Sequence, residues 1–200
     1  MHKHPSFECL HMVLPSEAVH GFASLLQHGI LFSADQPIPI VPFLLSLPGF
    51  TAQYIETTVQ TIFIDGVATD SLDRNLVNGS TLALSAAMPG LAGAIFRRQG
   101  LHGSLRSQPV AKAKPGLSAC GFVTLKLFNS IAADRVSDLL PAGILVTGKA
   151  FCDFSAQRGH LFQPPTELFF AGQTLDYAEL LRVVAEHPVV AVQASLLPGP

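Results

Sequence analysis

The sequence predicts an α+β protein in two successive parts, and three observations carry that prediction. Short β-branched or alternating runs recur along the chain, among them Thr57–Ile64, Thr81–Ser85 and Phe122–Leu127. Amphipathic stretches that suit helices stand between them, as around Val19–Leu26 and Asn129–Leu140. A glycine-rich, basic segment near the middle interrupts the pattern and divides the chain into 1–103, a linker at 104–116, and 117–200, unless the two parts close into one compact unit.

Composition bounds the class. Of 200 residues, 48% are hydrophobic and only 13% are charged, which excludes a disordered chain. Three cysteines exclude a disulfide scaffold, and Cys9, Cys120 and Cys152 read as reduced thiols. The net charge of −2 argues against binding a polyanion with the whole surface. So thin a charge cover over 14 Phe and many Leu leads us to expect self-association as a homo-oligomer.

In order, Phe7–Leu14 reads as a strand, and Pro15-Ser16-Glu17 starts a helix whose stripe is Val19, Phe22, Leu25 and Leu26, stopped at Gly29. The proline-broken Ile38–Phe50 holds at most a short helix. Thr57–Ile64 is the clearest strand and closes on Asp65-Gly66, a tight-turn pair tolerant of positive φ. Asn78-Gly79 marks a second turn before the strand Thr81–Ser85. Beyond the linker, Phe122–Leu127 is a strand and Asn129–Leu140 a helix ended by Pro141. Gly143–Phe154 reads as one long strand and Glu167–Ala171 as a short one. Thr174 is expected to cap a helix with Ala178, Leu181, Val184 and Ala185 inward, before the last strand Val189–Ala194. A strand, a helix and Gly-Ile-Leu occur twice, ending at Gly29-Ile30-Leu31 and Gly143-Ile144-Leu145, which raises an internal duplication.

The first 14 residues lack the pattern of a secretory signal. The charge-free runs Gln36–Ile55 and Asn75–Phe96 are cut by Pro and Gly into pieces too short to span a bilayer. We read a soluble cytoplasmic protein with no membrane contact.

Ile62-Phe63-Ile64-Asp65-Gly66, then Asp70, Leu72 and Leu76, then Asn78-Gly79-Ser80-Thr81-Leu82-Ala83-Leu84 follow one another as strand, turn, acidic-leucine stretch, turn and strand. Residues 58–93 thus resemble the later half of a β-grasp domain of the ubiquitin-like sulfur-carrier type. The resemblance implies a β-grasp-like N-terminal part, with Phe7–Gly29 supplying its opening strand and helix. It carries no sulfur-carrier activity, because those proteins end in Gly-Gly, whereas Pro89-Gly90-Leu91-Ala92-Gly93 is followed by the rest of the chain.

Charge placement is the most informative functional feature. Residues 1–73 hold one Lys against seven carboxylates, a balance of −6. Residues 74–133 hold seven bases (Arg74, Arg97, Arg98, Arg106, Lys112, Lys114 and Lys126) and no acid. Residues 134–200 return to −3, with four bases and seven acids. Within the basic window, Gly90, Gly93, Gly100 and Gly103 place open backbone beside Arg97, Arg98 and Arg106, with His102 and Ser104 between them. Exposed amides and guanidinium forks together suit an oxyanion. We therefore expect a binding module for an anionic small molecule or a partner protein at 90–106. The competing reading is a small enzyme acting on a phosphorylated or nucleotide substrate, with Arg97, Arg98 and His102 at its site. Neither G-x-x-x-x-G-K-[ST] nor G-x-G-x-x-G occurs, so no motif specifies a cofactor. Nucleic acid is disfavoured, since aromatics such as Phe96 and Phe122 are too sparse for a stacking platform.

Other constellations are thinner. Cys9 and His11 share a strand face, and His2 and His4 precede them, but no second ligand pair follows at metal spacing. Cys152-Asp153 with His160 is the nearest approach to a nucleophile set, and Asp153 works against a thiolate there. Asp70/Asp73 and Asp134/Asp138 read as solvated charge.

Overall fold

The computed structural model describes residues 7–88, 90–98, 100 and 121–197. The strands are β1 (Cys9–Pro15), β2 (Ile30–Ser33), β3 (Ile38–Pro39), β4 (Thr61–Ile64), β5 (Val67–Ala68) and β6 (Asn75–Leu76). They continue with β7 (Thr81–Ser85), β8 (Phe122–Phe128), β9 (Ile144–Thr147), β10 (Glu167–Phe170), β11 (Gln173–Thr174) and β12 (Val189–Leu197). The α-helices are α1 (Ala23–His28), α2 (Ile40–Leu45), α3 (Ala52–Thr57), α4 (Gly90–Phe96), α5 (Asn129–Ala142), α6 (Gly148–Gln157) and α7 (Tyr177–Ala185). The protein is α+β, and its strands pair in both parallel and antiparallel senses.

Contacts group the chain into two units, but not in series. Residues up to Leu31 join those from Ala133 onward, while Phe32–Ala132 forms the other unit. The sequence reading places the break at 104–116, a segment outside the described residues, so the observed grouping is interleaved rather than consecutive.

In the Phe32–Ala132 unit the strands lie in the order β8-β7-β4-β5. β7 runs parallel to β8, with Thr81 opposite Thr124 and Ser85 opposite Phe128. On its other side β7 runs antiparallel to β4, with Thr61 opposite Ser85 and Ile64 opposite Leu82. Period-two alternation buries Ile62, Ile64, Leu82, Leu84, Leu125 and Leu127 on one face. Asp65 and Gly66 take φ of 52° and 80°, as a two-residue hairpin turn with both central residues left-handed requires. The Asp65 carboxylate also accepts the Thr81 amide at 2.7 Å, tying the turn to β7. The expected strand from Thr57 is shorter than the sequence suggests. Thr51 accepts the Tyr54 amide at 3.1 Å and caps α3, which holds Ala52–Thr57 as helix.

The other unit orders its strands β11-β10-β1-β12-β9-β2. β1 is antiparallel to β10 and parallel to β12, from Cys9 opposite Ala191 to Pro15 opposite Leu197. The opening strand therefore pairs here, and the parallel neighbour of β7 is β8 instead. Leu31 of β2 stands opposite Leu145 of β9, so the two Gly-Ile-Leu segments are paired to each other. Phe22, Phe151, Phe154 and Phe162 form a buried cluster with ring centroids 5.5–6.4 Å apart.

Three expectations in this unit are corrected. The long strand 143–154 ends at Thr147, whose hydroxyl accepts the Ala150 amide at 3.1 Å and caps α6. Phe151, Phe154 and Ser155 then fall on one buried helical face, and spacings of three and four outweigh the β-like composition. Asp176, not Thr174, caps α7 through a reciprocal pair with Glu179, and the buried positions are Leu180 and Val184. Pro141 sits inside the last turn of α5 rather than just beyond it.

Candidate functional site

Five of the residues singled out in the basic segment are described: Gly90, Gly93, Arg97, Arg98 and Gly100. His102, Gly103, Ser104 and Arg106 lie outside the described residues. Gly90-Leu-Ala-Gly93 opens α4 and is not a loop, which corrects the expectation of open backbone around an anion. The role of Gly93 is close packing. It is buried, and a Cβ there would fall 1.7 Å from the Met88 carbonyl oxygen.

Two contacts lay this segment on the sheet. The Phe96 ring meets Phe63 at 5.4 Å between centroids. The Arg98 amide donates to the Gln60 carbonyl at 2.6 Å, beside the first residue of β4. Within the segment, Arg97 N donates to Gly93 O and Gly100 N to Arg97 O, both at 3.0 Å, which closes the helix end. Because Ile62 and Ile64 occupy the buried apolar face, strand alternation puts Phe63, with Thr61 two residues before it, on the opposite face. The two adjacent arginines are thereby fixed at the Thr61 end of β4.

Their surroundings are polar and enclosed. Arg97 is exposed, whereas Arg98 is half-buried and its Nη1 is shielded from solvent with no hydrogen-bond partner among the described residues. Thr61 is 1% exposed, and its Oγ1 likewise has no partner. Directly across from it, Ser85 is 5% exposed; its hydroxyl donates to the Ala86 carbonyl at 3.1 Å and accepts the Asn129 side-chain amide at 2.9 Å. Asn129 holds φ of 54°, a left-handed conformation that Asn tolerates better than most residues, and this points its amide back over the end of β8 to Ser85. Sequence reasoning reached the arginines through the acid-free window and missed Thr61, Ser85 and Asn129. The available signal was hydroxyl residues at the paired ends of two otherwise apolar strands.

The remaining candidates do not assemble into a site. His11 Nε2 lies 3.2 Å from Ser195 Oγ and its ring is 6.3 Å from Phe169, on the face of β1 that also carries Cys9. Burial pushes the Cys9 thiol above its ordinary value. Cys152 is on α6, not on a strand, with Sγ 4.0 Å from the Leu181 carbonyl. Its thiol is also pushed up, first by burial and then by Asp153, against a smaller opposing pull from Lys149, whose ammonium pairs with Asp153 at 2.6 Å. A thiol held protonated is a poor nucleophile. Among the described residues no three His, Cys, Asp or Glu side chains converge as metal ligands. Among the same residues no helix is long and apolar enough to cross a membrane. Compared with protein-family models, curated proteins and solved structures, the chain matches none.

Proposed function

We propose that this chain is a soluble binding module that takes an anionic small molecule at the end of α4, with Arg97 and Arg98 as its charged contacts. The observation that carries the reading is the Arg98 guanidinium, which holds a donor nitrogen away from water and unpaired. A shielded donor nitrogen without a hydrogen-bond partner is costly, and an oxyanion is the natural complement to a guanidinium fork. The acid-free window from Arg74 to Ala133 supports it, because it concentrates seven bases in one stretch of the chain. The β-grasp-like reading of residues 58–93 makes this unit the frame of the site. An acidic segment of a partner protein is the macromolecular form of the same ligand chemistry.

Thermal unfolding tests the reading. Phosphate or a nucleotide at a hundredfold excess over Kd should raise the midpoint of the native protein by about 5–10 °C beyond chloride at equal ionic strength. The Arg97→Ala/Arg98→Ala double variant should lose that increment. If no anion shifts the native protein, the proposal fails.

A further inference from the structure

Resting on that reading, we infer that Thr61 is a ligand-contacting residue and that the group it binds with Arg98 is a tetrahedral oxyanion, a phosphoryl group above all. Two shielded donors without partners among the described residues, Thr61 Oγ1 and Arg98 Nη1, belong to residues brought together by one backbone hydrogen bond, the one from Arg98 N to Gln60 O. Either alone would be a local defect. Together, where the Arg98 backbone is tied to the sheet, they form a set of donors awaiting an acceptor.

The identity of residue 61 sharpens this. Position 61 is on a strand and 1% exposed, where Val would fill the same volume without burying a hydroxyl. The other hydroxyl of that pair, Ser85, is satisfied on both sides. Ser85 is therefore structural: it holds the Asn129 amide. The available donors thus come from two separate elements, β4 and the end of α4. Donors arriving from separate elements suit the divergent oxygens of a tetrahedral group. A carboxylate presents its lone pairs in one plane and is matched by a single fork.

The test is titration of the full chain with inorganic phosphate, and in parallel with acetate, read by calorimetry and by thermal unfolding. Thr61→Val should weaken phosphate binding about tenfold. Without phosphate its unfolding midpoint should equal or exceed that of the native protein, because an unpaired hydroxyl has been removed. Thr61→Ser should restore phosphate affinity to within about threefold of native. Acetate should bind the native protein at least about tenfold more weakly than phosphate. If Thr61→Val binds phosphate like the native protein, the hydroxyl is satisfied by water and the inference is overturned. Acetate binding as tightly as phosphate overturns the tetrahedral assignment. Should Arg97→Ala/Arg98→Ala abolish phosphate binding while Thr61→Val leaves it intact, the anion reading stands and only this inference falls. No phosphate response in the native protein removes both.

Discussion

The two units contain the same sheet device built in two ways. Each has an edge hairpin whose inner strand runs antiparallel to a neighbour that is itself parallel to the next strand: β5-β4-β7-β8 in one, β11-β10-β1-β12 in the other. Parallel neighbours need a long crossover. Between β7 and β8 that crossover is residues 86–121, and it carries α4 and the arginines. Between β1 and β12 there is no such crossover, because the two strands come from opposite ends of the sequence. The difference teaches that the candidate site belongs to a connection and not to the sheet device itself. Phe63 meets Phe96 of the crossover, while its counterpart Phe169, between buried Leu168 and Phe170 on the equivalent hairpin strand, lies with its ring 6.3 Å from that of His11 on β1.

A pair of glycines provides the strongest way to break this comparison. A Cβ at Gly93 would lie 1.7 Å from Met88 O, and one at Gly148 would lie 2.2 Å from His187 O. Ala at either position should destabilise its unit by about 1–3 kcal/mol, measured by urea unfolding. Only Gly93→Ala should also abolish the phosphate response; equal loss in Gly148→Ala would mean that the response reports global stability and not a local site.

The hairpin turns give a smaller contrast. Asp65-Gly66 and Ala171-Gly172 adopt the same left-handed pair, with φ of 52° and 80° against 48° and 81°. Asp65 gains the Thr81 amide, and Ala171 has no side chain to offset its strained backbone. Asp65→Ala should cost about 1–2 kcal/mol. Ala171→Asn should instead stabilise by about 0.5–1 kcal/mol. Opposite signs in denaturant midpoints would confirm that the two turns differ only in side-chain support.

The smallest expected effect concerns the thiols. Cys9 and Cys152 are both held above the ordinary thiol range by burial. The unfolded chain then releases these protons at lower pH than the folded one. Their contribution to stability is full below the ordinary thiol pKa and is lost as pH rises through the folded value. Cys152→Ser should flatten the decline in stability on the alkaline side, followed as midpoint against pH.

These contrasts show which signals the sequence can carry. Asp65-Gly66 is legible because both residues tolerate positive φ. Ala171-Gly172 is not, since alanine has no left-handed preference and only the surrounding strands impose the turn. The Thr147 boundary was hidden because Ile144–Thr147 and Ala150-Phe151-Cys152 share an apolar, β-compatible composition; only the cap and the Phe151/Phe154 spacing separate them. At the site, the arginines were legible as charge. Thr61 was not, because a threonine in a strand is ordinary until the cover above it is known, and that cover comes from a segment 35 residues away in sequence, at Phe96–Arg98.

The pairing of β1 with β12 also sets an order of events during translation. Every strand from β4 to β8 is synthesised before β9, so one sheet can close early. The strand Cys9–Pro15, with Leu10, Met12 and Leu14 awaiting burial, must wait for Glu167–Phe170, the first of its two partners to be made, roughly eight to thirty seconds later at ordinary elongation rates. Throughout that interval it is an unpaired apolar strand on a nascent chain, the kind of segment that holdase chaperones bind. Chains released before Glu167 would lack both of its partners, so premature termination there should yield aggregates rather than a shortened soluble protein.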